Sequence, residues 1–432
     1  MNRRLQPFFF SILSILVLFL SQISPAFARS NSFPNDQEDE DTVIALGLAY
    51  IGSQLNDDGG VRWVDETSSV PATLRVVLAL TAAGYPQDFL QSDLGNRPID
   101  FLAESGADWV NQINSEAPTL SLARAGQLLT AISAANENPR GFGESSLDLV
   151  DAIKANYDPS TGIYGSATPG NVTDQVWGIL GLSASSMGVP TEALDWLSNA
   201  QMGDGSWDDG FGSFLDTTPL AVMAFLASDH NNSDSPEVLN GLDFIQVNQQ
   251  PDGGWQTAWD TTTNANTTGV MLQVINALGE KPTDDVWKSP EGNPQSALIA
   301  LQKENGAIGG DFANTYSTAD AIIGLSGQTL FDLGLLRRVS LGFNDLISSQ
   351  SQDGGWETTG QTIDSLLALT TAGWDPATVT QEDGASPVTF ITENLEDFIQ
   401  AGPDAMGKAL LAAVAAGENP EDFGGVNLVS RL

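Results

Sequence analysis

A short Gly-rich motif returns along this chain at the spacing of a supersecondary unit, and no other property limits the fold as much. Residues 250–255 read QPDGGW, 351–356 read SQDGGW, 201–207 read QMGDGSW, and 55–63, LNDDGGVRW, is a looser copy. Trp207 and Trp255 are 48 residues apart, and Trp356 lies 101 further on, about two such steps. Self-similarity of this period means stacked copies of one unit that share a continuous core.

One unit is clear at residues 236–281. Its first helix, predicted over 237–249, carries apolar Val238, Leu242, Phe244 and Ile245. A turn that needs Gly for its backbone follows at 250–255. A polar stretch then ends in Asn266, Thr267 and Thr268, which are N-cap residue types. The second helix, predicted over 269–278, is almost wholly apolar, and Gly279 and Pro282 stop it. The layout recurs about eight times, with first helices starting near 43, 98, 145, 191, 237, 294, 340 and 386.

Strand patterning is nearly absent, so the predicted class is all-α. Second helices such as 218–227 (TPLAVMAFLA), 320–327 (DAIIGLSG) and 405–416 (AMGKALLAAVAA) are apolar around most of their circumference. They belong to an inner layer, and the more amphipathic first helices to an outer one.

The segments Gln201-x3-Gly205-Ser-Trp207, Gln250-x2-Gly253-Gly-Trp255 and Gln350-x3-Gly354-Gly-Trp356 resemble the QW repeats of squalene and oxidosqualene cyclases. That resemblance covers nearly all of the chain beyond its N-terminus. It implies an α/α toroid, the ring of helical hairpins also found in protein prenyltransferase β-subunits, the complement thioester domain and cobalamin carriers. The motif decays at Gln302-x3-Gly306-Ala-Ile308, which lacks the Trp, and at Ala155-Asn156…Gly162-Ile-Tyr164, which lacks the Gln. Such rings close with six or seven pairs, so about 7–8 hairpins imply that the first or last pair flanks the ring. The Gln is expected to bond the tight loop and the Trp to cover it.

The N-terminus reads as a secretory signal over 1–28. Arg3 and Arg4 precede an apolar run at 8–20, and Ala26-Phe27-Ala28 is a cleavage site. The apolar run is shorter than a membrane span requires. Residues 29–41 are polar and acidic and are expected to form a disordered lead-in, leaving 42–432 as the repeat domain. The expected destination is extracytoplasmic, in a bacterium, because an exported chain with no cysteine must hold together by packing alone. A formal charge of −39 makes nucleic acid and anionic membranes poor partners and favours cationic or neutral ones.

In the families resembled, active groups gather at the N-terminal ends of the inner helices, where free N–H groups and helix dipoles converge. The corresponding residues are Asp174 and Gln175 beside Thr173; Asp216, Thr217 and Thr218; Asn266, Thr267 and Thr268; Thr318 and Asp320; and Thr362 and Asp364. Tyr164, Trp207, Trp259 and Tyr316, from the preceding loops, could wall the same opening. Each polar residue could equally be a helix cap.

Several activities can be weighed against this set. The cyclase family's acidic motif is Asp-x-Asp-Asp-Thr-Ala; residues 214–219 (FLDTTP) keep the middle Asp as Asp216 and the Thr. The resemblance would make Asp216 the proton donor, without the neighbouring carboxylates that would hold it acidic. Asp39-Glu40-Asp41-Thr42 mimics the motif by chance, inside the lead-in. Zinc-dependent prenyl transfer and the complement thioester both need cysteine, and this chain has none, with one histidine, His230, in a polar turn. Cobalamin carriers bind their ligand between the toroid and a β domain; the turns at 372–376 and 416–420 are similar to theirs. A glycan-acting barrel would need two carboxylates across a cleft, for which Asp216 with Asp320 or Asp364 are available. Residues 204–209 (DGSWDD) lack EF-hand spacing and read as a turn rather than a Ca²⁺ loop.

The reading is therefore a secreted toroid that binds a small amphipathic ligand, a corrinoid being the specific possibility, or another surface protein. No metal or resident cofactor is expected. A divergent cyclase-like or glycan-acting enzyme centred on Asp216, and a purely structural scaffold, are the alternatives.

Overall fold

The computed structural model of the protein describes residues 36–112, 119–165, 172–212, 214–228, 233–257, 260–333, 346–347, 349–371, 376–381 and 384–432. The signal segment, His230, Trp259 and the start of the turn at 372–376 lie outside these residues. Of the N-terminal unit, Met1–Thr42, only the end is described; it is helical from Asp36, inside the stretch read as a lead-in. The second unit, Val43–Leu432, holds the repeats.

Outer helices α1 (Asp36–Ser53), α3 (Pro98–Val110), α5 (Leu149–Lys154), α7 (Thr191–Asn199), α9 (Pro236–Val247) and α11 (Pro294–Ala300) alternate with inner helices. The inner ones are α2 (Val70–Ala82), α4 (Leu122–Ala134), α6 (Val172–Ala184), α8 (Phe214–Ala227), α10 (Ala265–Ala277) and α12 (Thr315–Leu325). Among the described residues each inner helix packs on the next, and α12 packs back on α2, so six hairpins close the ring. The only paired strands in this set are β1 (Tyr157–Asp158) and β2 (Ile163–Tyr164), a small hairpin within one loop. The fold is an all-α, α/α toroid, with the inner and outer layers that helix composition predicts.

Inner helices start on polar caps. Ser69 accepts from Ala72 N on α2, and Asn264 accepts from Asn266 N and Thr267 N on α10. Asn266–Thr268 and Asp216–Thr218 therefore sit in first turns rather than at the caps where the sequence put them. From there the inner helices are buried almost throughout: on α2, Leu74, Val76, Val77, Leu78, Ala79 and Leu80 are all within 1% of full burial. Gly126 on α4 lets two inner helices touch backbones, because a Cβ there would lie 2.1 Å from the Trp177 carbonyl oxygen on α6.

The recurring motif is the fastener between neighbouring hairpins. Gln201 Nε2 donates to Gly205 O within its own loop (3.0 Å) and to Glu237 O at the start of the next outer helix (2.9 Å). Gln350 does the same to Gly354 O and Val379 O. In the third copy the clamp is Gln249, not the Gln250 of the sequence alignment, reaching Gly253 O and Trp287 O at 2.8 Å each. Trp207, Trp255 and Trp356 each donate their indole N–H to a carbonyl at the end of the preceding helical segment: Leu197, Ile245 and Leu346.

The ring's seam uses the same device. Gln302 Nε2 donates to Gly306 O (3.1 Å) and, across 259 residues of sequence, to Val43 O on α1 (2.8 Å). Gly306 has φ +90°, and a Cβ there would come within 2.2 Å of Leu46 O. Only glycine supplies both the backbone angle and the space.

The last two predicted hairpins flank the closed ring. Helices α13 (Thr359–Thr371), α14 (Pro387–Glu393), α15 (Leu395–Ile399), α16 (Pro403–Ala415) and α17 (Leu428–Arg431) build a separate core around Ile363, Leu366, Ile391, Leu395, Met406 and Leu428.

Candidate functional site at the inner-helix mouth

The first turns of the inner helices do converge, and there a polar belt runs through the ring. Thr267 Oγ1 on α10 donates to Asp216 Oδ1 on α8 at 2.8 Å. Its neighbour Asn266 donates through Nδ2 to Asp320 Oδ2 on α12 at 3.0 Å. Asp320 Oδ1 lies 3.4 Å from Arg75 Nε on α2, which also donates to Tyr316 Oη at 3.1 Å. The Arg75 guanidinium stands 5.3 Å from the Tyr316 ring and 5.3 Å from the Trp177 ring on α6, across the lumen. On α6, Asp174 Oδ1 accepts from Ala123 N at 2.8 Å and so caps its neighbour α4. Five of the six inner helices place a side chain in this belt, and α4 is held to α6 through Ala123 N.

Burial sets its electrostatics. Arg75 is 5% exposed and Asp320 1%. Burial pushes the Asp320 carboxyl above the usual carboxylate range, against the pull of Arg75 and the Asn266 hydrogen bond. Burial opposes the Arg75 charge as well, but Tyr316 and Asp320 outweigh it and raise its pKa. Burial also raises Asp216, helped by the nearby Asp209 charge and opposed by Thr267, and it raises Asp174 against the Ala123 hydrogen bond. Arg75 Nη1 and Asp320 Oδ1 are both buried and make no hydrogen bond within the described residues, so the belt keeps a donor and an acceptor unsatisfied.

Other residues read as pocket candidates serve the loops. Thr218, Thr318 and Thr362 are fully buried and accept, through Oγ1, from Trp207 N, Ile308 N and Trp356 N. Thr73 and Thr268 do the same for Val61 N and Trp255 N. Gln175 replaces two such residues: its Oε1 accepts from Tyr164 N (2.9 Å), while Nε2 donates to Gly162 O (2.9 Å) and Ala193 O (2.8 Å). It thereby supplies the clamp that the Gln-less copy at 155–164 lacks. Trp207, Tyr164 and Thr217 are buried in the same layer, so they do not wall an opening. Thr362 and Asp364 belong to α13, beyond the closed ring, and Asp364 is exposed and paired with Lys408 Nζ at 2.8 Å. Of the sequence candidates, Asp216, Asn266, Thr267, Tyr316 and Asp320 are the ones brought together, while Asp174 binds the start of α4. Asp204 accepts from Ser206 N and Oγ in its turn, and among the described residues no group of three metal-ligating side chains gathers.

Arg75, at the centre of the belt, was missed from sequence. Its signal was a lone basic residue inside the apolar run VPATLRVVLALTA. The rim carries a second pattern: Trp63, Val64, Phe211 and Phe312 are exposed, in loops that lead into α2, α8 and α12. Each has acidic neighbours, Asp65 and Glu66, Asp208 and Asp209, and Asp311. The Trp63 ring lies 5.4 Å from that of Tyr316, tilted by 32°, which joins the rim to the belt.

No family model matches the chain. An alignment of 211 positions, covering 40% of the chain, is 28% identical to enfumafungin synthase efuA of Hormonema carpetanum and spans 16% of that curated relative's length. The structure is similar to the type II terpene cyclase MstE from Scytonema over 67% of this chain and 98% of that one, with a TM-score of 0.49 and 13% identity. It is similar to ent-copalyl diphosphate synthase from Streptomyces platensis over 60% and 50%, with a TM-score of 0.41 and 17% identity. An α-1,6-mannanase of Salegentibacter sp. HEL1_6 aligns over 68% and 99%, with a TM-score of 0.43 and 12% identity.

Proposed function

We propose that this protein is an exported, non-catalytic binding module that presents the inner-helix mouth of its ring to a cationic, amphipathic ligand or partner segment. The observation that carries this reading is the buried Arg75. Its guanidinium lies between Tyr316 and Asp320 on α12 and Trp177 on α6, so side chains of three inner helices meet at that level. Binding is left to the rim, where exposed Trp63, Phe211 and Phe312 alternate with carboxylates. Aromatic faces beside acids suit a Lys- or Arg-bearing apolar segment, in keeping with a formal charge of −39.

Calorimetric titration with a lysine-containing amphipathic peptide tests the reading, with cobalamin as a second ligand. The expected result is salt-sensitive peptide binding that Trp63→Ala with Phe211→Ala weakens by about tenfold or more. Saturable cobalamin binding with no response to the peptide would replace the cationic ligand with a corrinoid. No binding of either would remove the reading.

One observation favours a second reading: the raised carboxyl of Asp216, which suits a general acid. A divergent cyclase-like or glycan-acting enzyme would turn over a squalene-like or glycan substrate and lose that activity in Asp216→Asn. Absence of turnover in the parent protein, or turnover that survives the substitution, ends it.

A further inference from the structure

The opposite mouth of the ring, where inner helices end, holds a cavity of about 460 Å³ that no site residue above touches. Its apolar wall includes Met187, Leu226 and Phe331, and its polar groups include Ser183, Ser228 and Asp332. That volume falls within the range of small-molecule sites.

Three features give the cavity one electrical sign. It is lined by residues at or just past the C-terminal ends of α6, α8 and α10, where the helix dipoles are negative. None of these helices has a basic residue in its last turn. The Asp332 carboxylate adds a full charge; it accepts from Thr329 Oγ1 at 2.7 Å, and no ion pair reaches it among the described residues. Burial raises its pKa, opposed by the Thr329 bond. Ser183 Oγ is buried there without a hydrogen-bond partner. Ser228 Oγ donates to Phe225 O, which leaves its lone pairs to accept.

We propose that this cavity is a binding site for a small organic cation, an ammonium group carried on a short apolar body. The apolar wall takes the body. Asp332, beside the negative ends of the helix dipoles, takes the charge. A metal ion fits poorly, because one carboxylate and neutral oxygens beside an apolar wall offer no compact ligand set, and no three-ligand group exists among the described residues.

The test is calorimetric titration of the whole protein with choline and with its uncharged carbon isostere, which has a tert-butyl head in place of the trimethylammonium. Saturable choline binding with at least about tenfold weaker binding of the isostere is expected. Asp332→Asn keeps the acceptor for Thr329 and removes the charge, and it should weaken choline by about tenfold or more. Ala277→Phe, which fills the cavity without touching a charge, should abolish binding while thermal melting shows the fold intact. Equal affinity for choline and the isostere, no choline binding at millimolar concentration, or unchanged binding in Asp332→Asn would each overturn the proposal. Arg337 and Arg338 lie outside the described residues; choline binding that appears only in R337A/R338A would also overturn it, because the chain would then supply its own cation.

Discussion

Replacing Arg75 by Met leaves a similar apolar stem and removes the charge that faces Asp320. The two groups are 3.4 Å apart and almost wholly buried. At an effective dielectric constant of about 20, that attraction is about 5 kcal/mol. The loss cannot grow much beyond the cost of protonating Asp320, because a stranded carboxylate escapes by taking a proton. That cost is about 1.4 kcal/mol for each pH unit above the free carboxyl value of about 3.9. It comes to about 4 kcal/mol near pH 7 and about 1.5 kcal/mol near pH 5. R75M should therefore lose about 4 kcal/mol at the higher pH and recover more than half of it at the lower one, each against the parent protein at the same pH. The double variant R75M/D320N keeps the acceptor for Asn266 and has no stranded charge, so it should return to within about 1 kcal/mol of the parent. Urea unfolding followed by circular dichroism and tryptophan fluorescence reads all three. A loss that is the same at both pH values, or below about 1 kcal/mol at both, would refute the assignment of Arg75 and Asp320 as a buried pair that holds the ring.

Gln175→Ala removes three hydrogen bonds from a fully buried side chain and leaves Tyr164 N and the Gly162 and Ala193 carbonyls unpaired; urea unfolding should show a loss of about 3 kcal/mol, against about 1 kcal/mol for the half-buried clamp Gln201→Ala, and equal losses would count against the compensating role. For Asp216 the folded pKa is raised by burial first, so the folded protein holds that proton to higher pH than the unfolded chain does. The associated stability is complete below the unfolded pKa, about 3.9, and is lost as pH rises through the folded value. Asp216→Asn, which can still accept from Thr267, should thus melt higher than the parent near neutral pH and converge with it below about pH 4; a variant that melts lower near neutral pH would reverse the assigned sign.

Much of the fold is legible because its determinants are local. A helix declares itself by the period of its apolar residues, and the two layers by how far around each helix those residues extend. The clamp is legible for the same reason: Gln201, Gln302 and Gln350 each precede their loop glycine by four residues, and that constant spacing would have selected Gln249 over Gln250. Gln175 breaks the pattern, since it reaches its loop from the following inner helix rather than from the preceding outer one.

The mouth is less legible because sharing a helix position is not the same as sharing a surface. Thr218 and Asp216 are two residues apart on α8, yet one is sealed behind its own loop and the other joins the belt. Thr362 looks like Thr318 in sequence and makes the equivalent bond, but it lies in a hairpin outside the ring.

The repeat therefore dictates the hairpin, its two layers and the fastener between neighbours, since each rests on contacts within one or two units. How many units close the ring rests on the small rotation accumulated between them, and only the packed structure reveals that the sixth clamp, Gln302, meets Val43 instead of a seventh outer helix. The same closure carries Arg75 to Tyr316 and Asp320, 241 and 245 residues away, and gathers the ends of α6, α8 and α10 around one cavity. Those groups have no relation along the chain; their charges and cavity exist because six rigid hairpins meet around a common axis.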